Sequence, residues 1–179
     1  MTVRALTYTG VGSRKTPPEL QAVMAATART LRRWGWTLRT GHAAGADQAF
    51  ERGAGHRAEV FLPWPGFEAG VPTVADLVVE AAPDEAYAIA AEHHPAWHRC
   101  DDRARALHAR NVLQVLGLTL DAPAYALACW TPRGSGSGGT GQAIRIARAY
   151  GVPVFDFGRP GSLAGFMRRA AELTELRKL

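Results

Sequence analysis

Residues 124–157 read AYALACWTPRGSGSGGTGQAIRIARAYGVPVFDF. The mostly apolar run 124–130 suits a buried strand, and the glycine-dense stretch 131–140 cannot hold regular structure before a helix opens over 141–150. Residues 152–157 then supply the next strand. Strand, glycine loop, helix and strand make a βαβ crossover, which sets the two strands parallel.

Working outward, the same order recurs. Residues 5–11 read as a strand, followed by the turn Gly12-Ser13-Arg14-Lys15-Thr16-Pro17-Pro18. An amphipathic helix comes next, with Leu20, Val23, Met24, Thr27, Leu31 and Trp34 at helical spacing and Gly35 as its stop. A short strand over 37–40 leads to the loop Gly41-His42-Ala43-Ala44-Gly45, a helix over 46–54 and a strand over 58–64. Helical stretches follow at 84–94 and 101–116, and a C-terminal helix places Leu163, Phe166, Met167, Ala170, Leu173 and Leu176 on one face. Residues 65–83 mix glycine, proline and polar residues, and their periodicity defines no element. The alternation predicts one α/β domain over 1–179, a Rossmann-like, mostly parallel sheet with helices on both faces.

The chain has 179 residues, near the size of one domain, so a core can form without covalent staples. Two cysteines, Cys100 and Cys129, are too few for a disulfide framework. The first residues carry no apolar run of signal-peptide type, so a cytoplasmic location is expected. No stretch approaches the roughly 20 apolar residues that span a bilayer, so no membrane partner is expected. The formal net charge of +5, carried almost entirely by arginine, favours polyanionic partners. An arginine- and alanine-rich composition is also what GC-rich coding produces, so charge alone does not decide for nucleic acid.

Chemistry concentrates in the loops. In an open parallel sheet the ligand crevice lies beyond the carboxyl ends of the strands, where strand order reverses. Three glycine loops leave strands at that edge, and glycine lets exposed amides and a following helix N-terminus approach a phosphate. Arg14 and Lys15 stand where such a phosphate needs neutralising. The dinucleotide signature fails, because Gly10-Val11-Gly12 is followed by Ser13-Arg14-Lys15. The P-loop signature fails as well, since no lysine follows the glycines near Gly139.

The ordered set Gly10-Val11-Gly12-Ser13-Arg14, Thr40-Gly41-His42-Ala43-Ala44-Gly45-Ala46-Asp47, Ala109-Arg110-Asn111 and Gly136-Ser137-Gly138-Gly139-Thr140 resembles the DprA/LOG-type (SLOG) Rossmann-like superfamily. It is most similar to short DprA-like DNA-binding proteins of phages and bacteria. That resemblance implies single-stranded DNA bound at the carboxyl edge of the sheet. It casts Gly12, Ser13, Arg14, Gly41, Gly45, Arg110, Asn111, Gly138, Gly139 and Thr140 as contacts to backbone phosphate. Lys15, His42 and Arg133 join them as loop donors. Duplex DNA, RNA or a small nucleotide would use the same chemistry. The LOG branch hydrolyses nucleoside monophosphates with a glutamate just after its glycine loop, whereas Gly141-Gln142-Ala143-Ile144 carries no acid here. A phosphoribohydrolase is therefore the alternative, with Asp47 or Glu51 as its acid, and the leading expectation is binding without catalysis.

Single-strand binders add aromatic platforms to a basic groove, each worth about 1–3 kcal/mol per stacked base. Trp130, Trp64 and Trp97 fall near loop ends and are candidates, although tryptophan is more often a core residue. Between His93 and Asp101 several metal-ligand types gather, but only the pair His94 and His98 has a zinc-like spacing. The reading is a solvated helix junction with Asp101 or Asp102 as N-cap, no metal and no cofactor. Asp47 reads as a cap and dipole partner, and Cys129 as a small buried hydrophobe. Ser135 and Ser137 lack histidine and acid partners for nucleophilic catalysis. The apolar helix faces leave room for a homodimer.

Overall fold

The computed structural model describes residues 5–136 and 138–179. Ser137 and the first four residues lie outside the described region. The strands are β1 (Thr7–Gly10), β2 (Thr37–Thr40), β3 (Ala58–Phe61), β4 (Leu77–Val79), β5 (Leu127–Cys129) and β6 (Val154–Asp156). The helices are α1 (Pro18–Arg33), α2 (Ala46–Ala54), α3 (Asp84–His93), α4 (Asp102–Leu116), α5 (Gly138–Ala149) and α6 (Ser162–Leu176). One sheet runs β4-β3-β2-β1-β5-β6, and every pairing in it is parallel.

Two apolar clusters fill the two faces. Met24, Ala28 and Leu31 of α1, with α2 and with Phe166 and Ala170 of α6, pack on one face. Ala86 and Ala90 of α3, with α4 and α5, cover the other. Strand β5 shows the division directly: Ala126 and Ala128 join the first cluster, Leu127 and Cys129 the second, as the two-residue period of a strand requires. Tyr8 sits at the centre of the first cluster, edge-on to Trp36, Phe50 and Phe166 at centroid distances of 6.4, 6.3 and 5.9 Å. Trp36 donates from Nε1 to Thr174 at 2.8 Å and so fastens α6 to the body.

Local chemistry sets the helix ends. Pro18 occupies the first turn of α1, where its missing amide costs nothing, and Gly35 at φ 83° turns the chain away. Asp101 caps α4 by accepting from the Ala104 amide at 2.8 Å. The segment 65–83 contains the edge strand β4, paired Val60↔Val78 with β3. Helix α5 begins three residues before the expected position, so the last glycines of the loop form its first turn. No helix among the described residues is long and apolar enough to cross a membrane.

Candidate functional site

Strand β1 has β2 on one side and β5 on the other, with Thr9 in register with Arg39 and with Leu127. The chain moves outward in opposite directions from this line, so the loops after β1 and β5 part and leave a crevice above the strand ends. Its volume is about 560 Å³. The first loop contributes Gly12, Ser13, Arg14 and Lys15, α4 contributes His108, Arg110, Asn111 and Gln114, and α5 contributes Gly138, Gly139 and Thr140.

Asp47 organises the back wall. It is buried in the first turn of α2, and its two carboxylate oxygens accept the amides of Gly12 and Gly41, each at 3.1 Å. Its job is to tie the first two glycine loops together, not to cap α2, whose N-cap is Gly45. Burial raises its pKa to about 6, against the pull of Arg110 and the backbone amides. Arg110, also buried, donates to the carbonyls of Gly41 and Phe61 and faces Asp47 as counter-charge. A side chain at Gly41 would collide with the Arg110 guanidinium, and one at Gly45, where φ is 87°, would come within 2.6 Å of the Ser13 carbonyl.

Several amides of the first two loops are thus engaged internally. Gly12 and Gly41 donate to Asp47, Ser13 donates to the Trp130 carbonyl, and Lys15 to the Ser13 hydroxyl. The expectation that three glycine turns aim free amides at one anion is corrected accordingly: a buried carboxylate inserted between two of them takes their donors. The first turn of α5 remains, whose amides have no partner inside the helix and whose dipole is positive toward the crevice. Asn111 holds this turn by donating to the Gly139 carbonyl at 2.9 Å. Gln114, 1% exposed at the crevice, has no hydrogen-bond partner for either amide atom among the described residues. Sequence patterning missed Gln114, which reads as an ordinary polar residue in a helix.

Arg14 and Lys15 are exposed at the mouth, with Arg14 3.1 Å from Glu68. Gly41, His42 and Gly45 do not line the crevice, although Gly41 packs behind Arg110 and Gly45 behind the Ser13–Arg14 backbone. His42, at φ 62°, turns its ring away from the crevice to Glu51 at 2.6 Å and the Val71 carbonyl at 2.9 Å, in a second cavity of about 170 Å³. Burial opposes charging of this imidazole, but the hydrogen bond and charge of Glu51 prevail and raise its pKa. Trp130 is packed against the core beneath the loop, and Arg133 is exposed at φ 55° without lining the crevice. Trp64 lies under the Arg103 guanidinium at 4.6 Å, and Trp97 under that of Arg105 at 5.6 Å.

The junction between α3 and α4 differs from the sequence reading in one respect. His98 is exposed on the short helical turn Trp97–Arg99, while His94, Cys100 and His108 come together. The spacing His94-x-x-x-His98 suggested the wrong partner, because the helix ends at His93 and the periodicity that would align the two rings is lost. Burial, followed by the charges of His94, Arg145 and Arg110, lowers the pKa of His108 to about 4.

No protein-family model and no curated protein matches the chain. Among solved structures, DNA processing protein A from Helicobacter pylori, described for its single-stranded DNA binding mode, superposes with a TM-score of 0.60 at 17% identity. The match covers 85% of this chain, which spans 65% of that protein's chain. The Moco carrier protein from Chlamydomonas rheinhardtii superposes with a TM-score of 0.53 at 18% identity, over 96% of this chain and 87% of the other. Strand order, the switch point and these superpositions agree on one all-parallel, Rossmann-like α/β fold, which the chain shares with both proteins.

Proposed function

We propose that the crevice between β1 and β5 binds a nucleic-acid backbone, single-stranded DNA foremost, and needs no cofactor. The observation that carries this reading is the convergence of Arg14, Lys15 and the first turn of α5 on one open crevice. A phosphate seated on the Gly138–Thr140 turn receives amide hydrogen bonds and the helix dipole, while the two basic side chains neutralise it from the opposite lip. Asn111 acts indirectly by fixing the Gly139 carbonyl, and Arg110 and Asp47 keep the wall rigid. Gln114 lies in the crevice wall with both amide atoms buried and without a hydrogen-bond partner among the described residues. The fold shared with the single-stranded DNA-binding protein of Helicobacter pylori adds support.

Titration of a fluorescent single-stranded oligonucleotide at several salt concentrations tests this. The logarithm of affinity should fall linearly with log salt, by about 0.7 per neutralised phosphate. Replacing Arg14 and Lys15 together by alanine should make the slope shallower by about 1.4. A flat salt response, or a double variant that binds like the parent, overturns the reading.

One observation favours a second reading, a nucleotide-binding protein or nucleoside-monophosphate hydrolase. Asp47 lines the crevice with a pKa near neutrality, where a general base works best. Both of its oxygens already accept backbone amides, which lowers their availability. Incubation with nucleoside monophosphates and chromatography for free base separates the two, since base release belongs to the hydrolase alone.

A further inference from the structure

We propose that His94, Cys100 and His108 form a binding site for a divalent metal ion of zinc type, beside the crevice and independent of its ligand. Their ligand atoms all lie within 4.8 Å of one another, and the Cys100 sulfur is 3.9 Å from each ring nitrogen of His94. Zinc bond lengths of about 2.3 Å to sulfur and 2.0–2.1 Å to nitrogen, at tetrahedral angles, set sulfur–nitrogen spacings of about 3.6 Å and nitrogen–nitrogen spacings of about 3.3 Å. Closing the cluster therefore needs shifts of roughly an ångström or less.

Each ligand is already held by backbone structure. His94 is the residue at which α3 ends, Cys100 ends the following helical turn immediately before the Asp101 cap, and His108 stands well inside α4. The rings of His94 and His108 are 4.3 Å apart between centroids. His108 Nδ1 is buried without a hydrogen-bond partner among the described residues, an uncompensated acceptor or donor that metal coordination would satisfy. His94 Nδ1 accepts from the Ala96 amide at 3.2 Å, and a half-turn of the ring exchanges that contact for the ion without moving the ring plane. Coordination displaces the Cys100 thiol proton, and the sulfur then supplies the one negative charge of the ligand set.

Two imidazoles and one thiolate leave the fourth tetrahedral position to water or to an incoming ligand atom. His108 also lines the crevice, so the ion would sit at its border and brace α3 against α4. This requires nothing from the nucleic-acid reading. A crevice without DNA affinity leaves it standing, and an absent metal leaves the crevice chemistry untouched.

The test is titration of the chelator-treated, purified full chain with cobalt(II), followed by absorbance. One equivalent should bind, with a thiolate-to-cobalt charge-transfer band and the strong visible bands of a four-coordinate site. Cys100→Ser should abolish the charge-transfer band. Since loss of even an outer partner costs about 10–100-fold in affinity, loss of this ligand should weaken binding by more than about 100-fold. His94→Asn should weaken binding similarly, and His98→Ala should leave it unchanged. Circular dichroism of each variant before metal addition verifies folding, and the two ligand variants give independent readings should one of them fail to fold. Absence of stoichiometric binding, a charge-transfer band that survives Cys100→Ser, or dependence on His98 overturns the proposal.

Discussion

Asn111 donates from Nδ2 to the carbonyl of Gly139 at 2.9 Å, and this bond fastens the first turn of α5 to the side of α4. Glycines at the start of α5 have poor helix propensity, so the turn depends on such an anchor for its shape. Asn111→Ala should reduce affinity for single-stranded DNA while lowering global stability by only about 1 kcal/mol. Oligonucleotide titration beside urea unfolding separates the two effects. Equal binding by variant and parent would show that the turn holds its shape unaided.

Asp47 gives a pH signature. Its carboxyl is raised from 3.8 to about 6 by burial, so the folded state prefers it protonated. For a raised pKa the associated stability is fully present below the unfolded value and disappears as pH climbs through the folded one. The difference in unfolding free energy between the parent and Asp47→Asn should therefore decline by about 2–3 kcal/mol between about pH 4 and pH 6, and stay level above that. Comparison with the variant matters, because His108, lowered to about 4, changes stability in the opposite sense over much of the same range.

His42 and Glu51 form a buried pair remote from the crevice. His42→Gln should leave DNA affinity unchanged yet cost about 3 kcal/mol of stability, because Glu51 keeps a buried charge without its partner. The raised pKa of His42 adds a second window: its contribution holds below about pH 6.5 and falls away as pH passes the folded value. Urea unfolding of Glu51→Gln should lack that fall.

Phe166 is fully buried and meets Tyr8, Phe155 and Phe157 edge-on. Its truncation to alanine should cost about 3–5 kcal/mol and release α6 first, visible as faster amide exchange in residues 162–176.

The sequence made the sheet legible where strands are buried runs that end in glycine loops. Strand β2 and helix α2 fall where periodicity puts them. Strand β4 was illegible because it is three residues long, sits at the sheet edge with Val78 partly exposed, and is flanked by Asp76 and Glu80. Within the crevice, Arg14, Lys15 and Gly139 could be placed together because each stands in a loop that follows a strand, whereas Asn111, inside α4, came only from the family resemblance. The role of Asp47 could not be read, since an acid in a first helical turn looks like a cap until the loop amides facing it are known. The grouping of His94, Cys100 and His108 escaped for a related reason: it depends on how two helices meet, which no spacing along one of them encodes.

The crevice has a history written into its walls. Its first lip is made near residue 14 and its opposite lip near residue 139, and they meet only when β5 settles against β1. During synthesis, the chain as far as residue 139 must leave the ribosome before the two lips can meet, and loop closure over such a separation is slow compared with the local pairing of β1 with β2. A nascent chain should therefore pair β1, β2 and β3 well before the crevice closes.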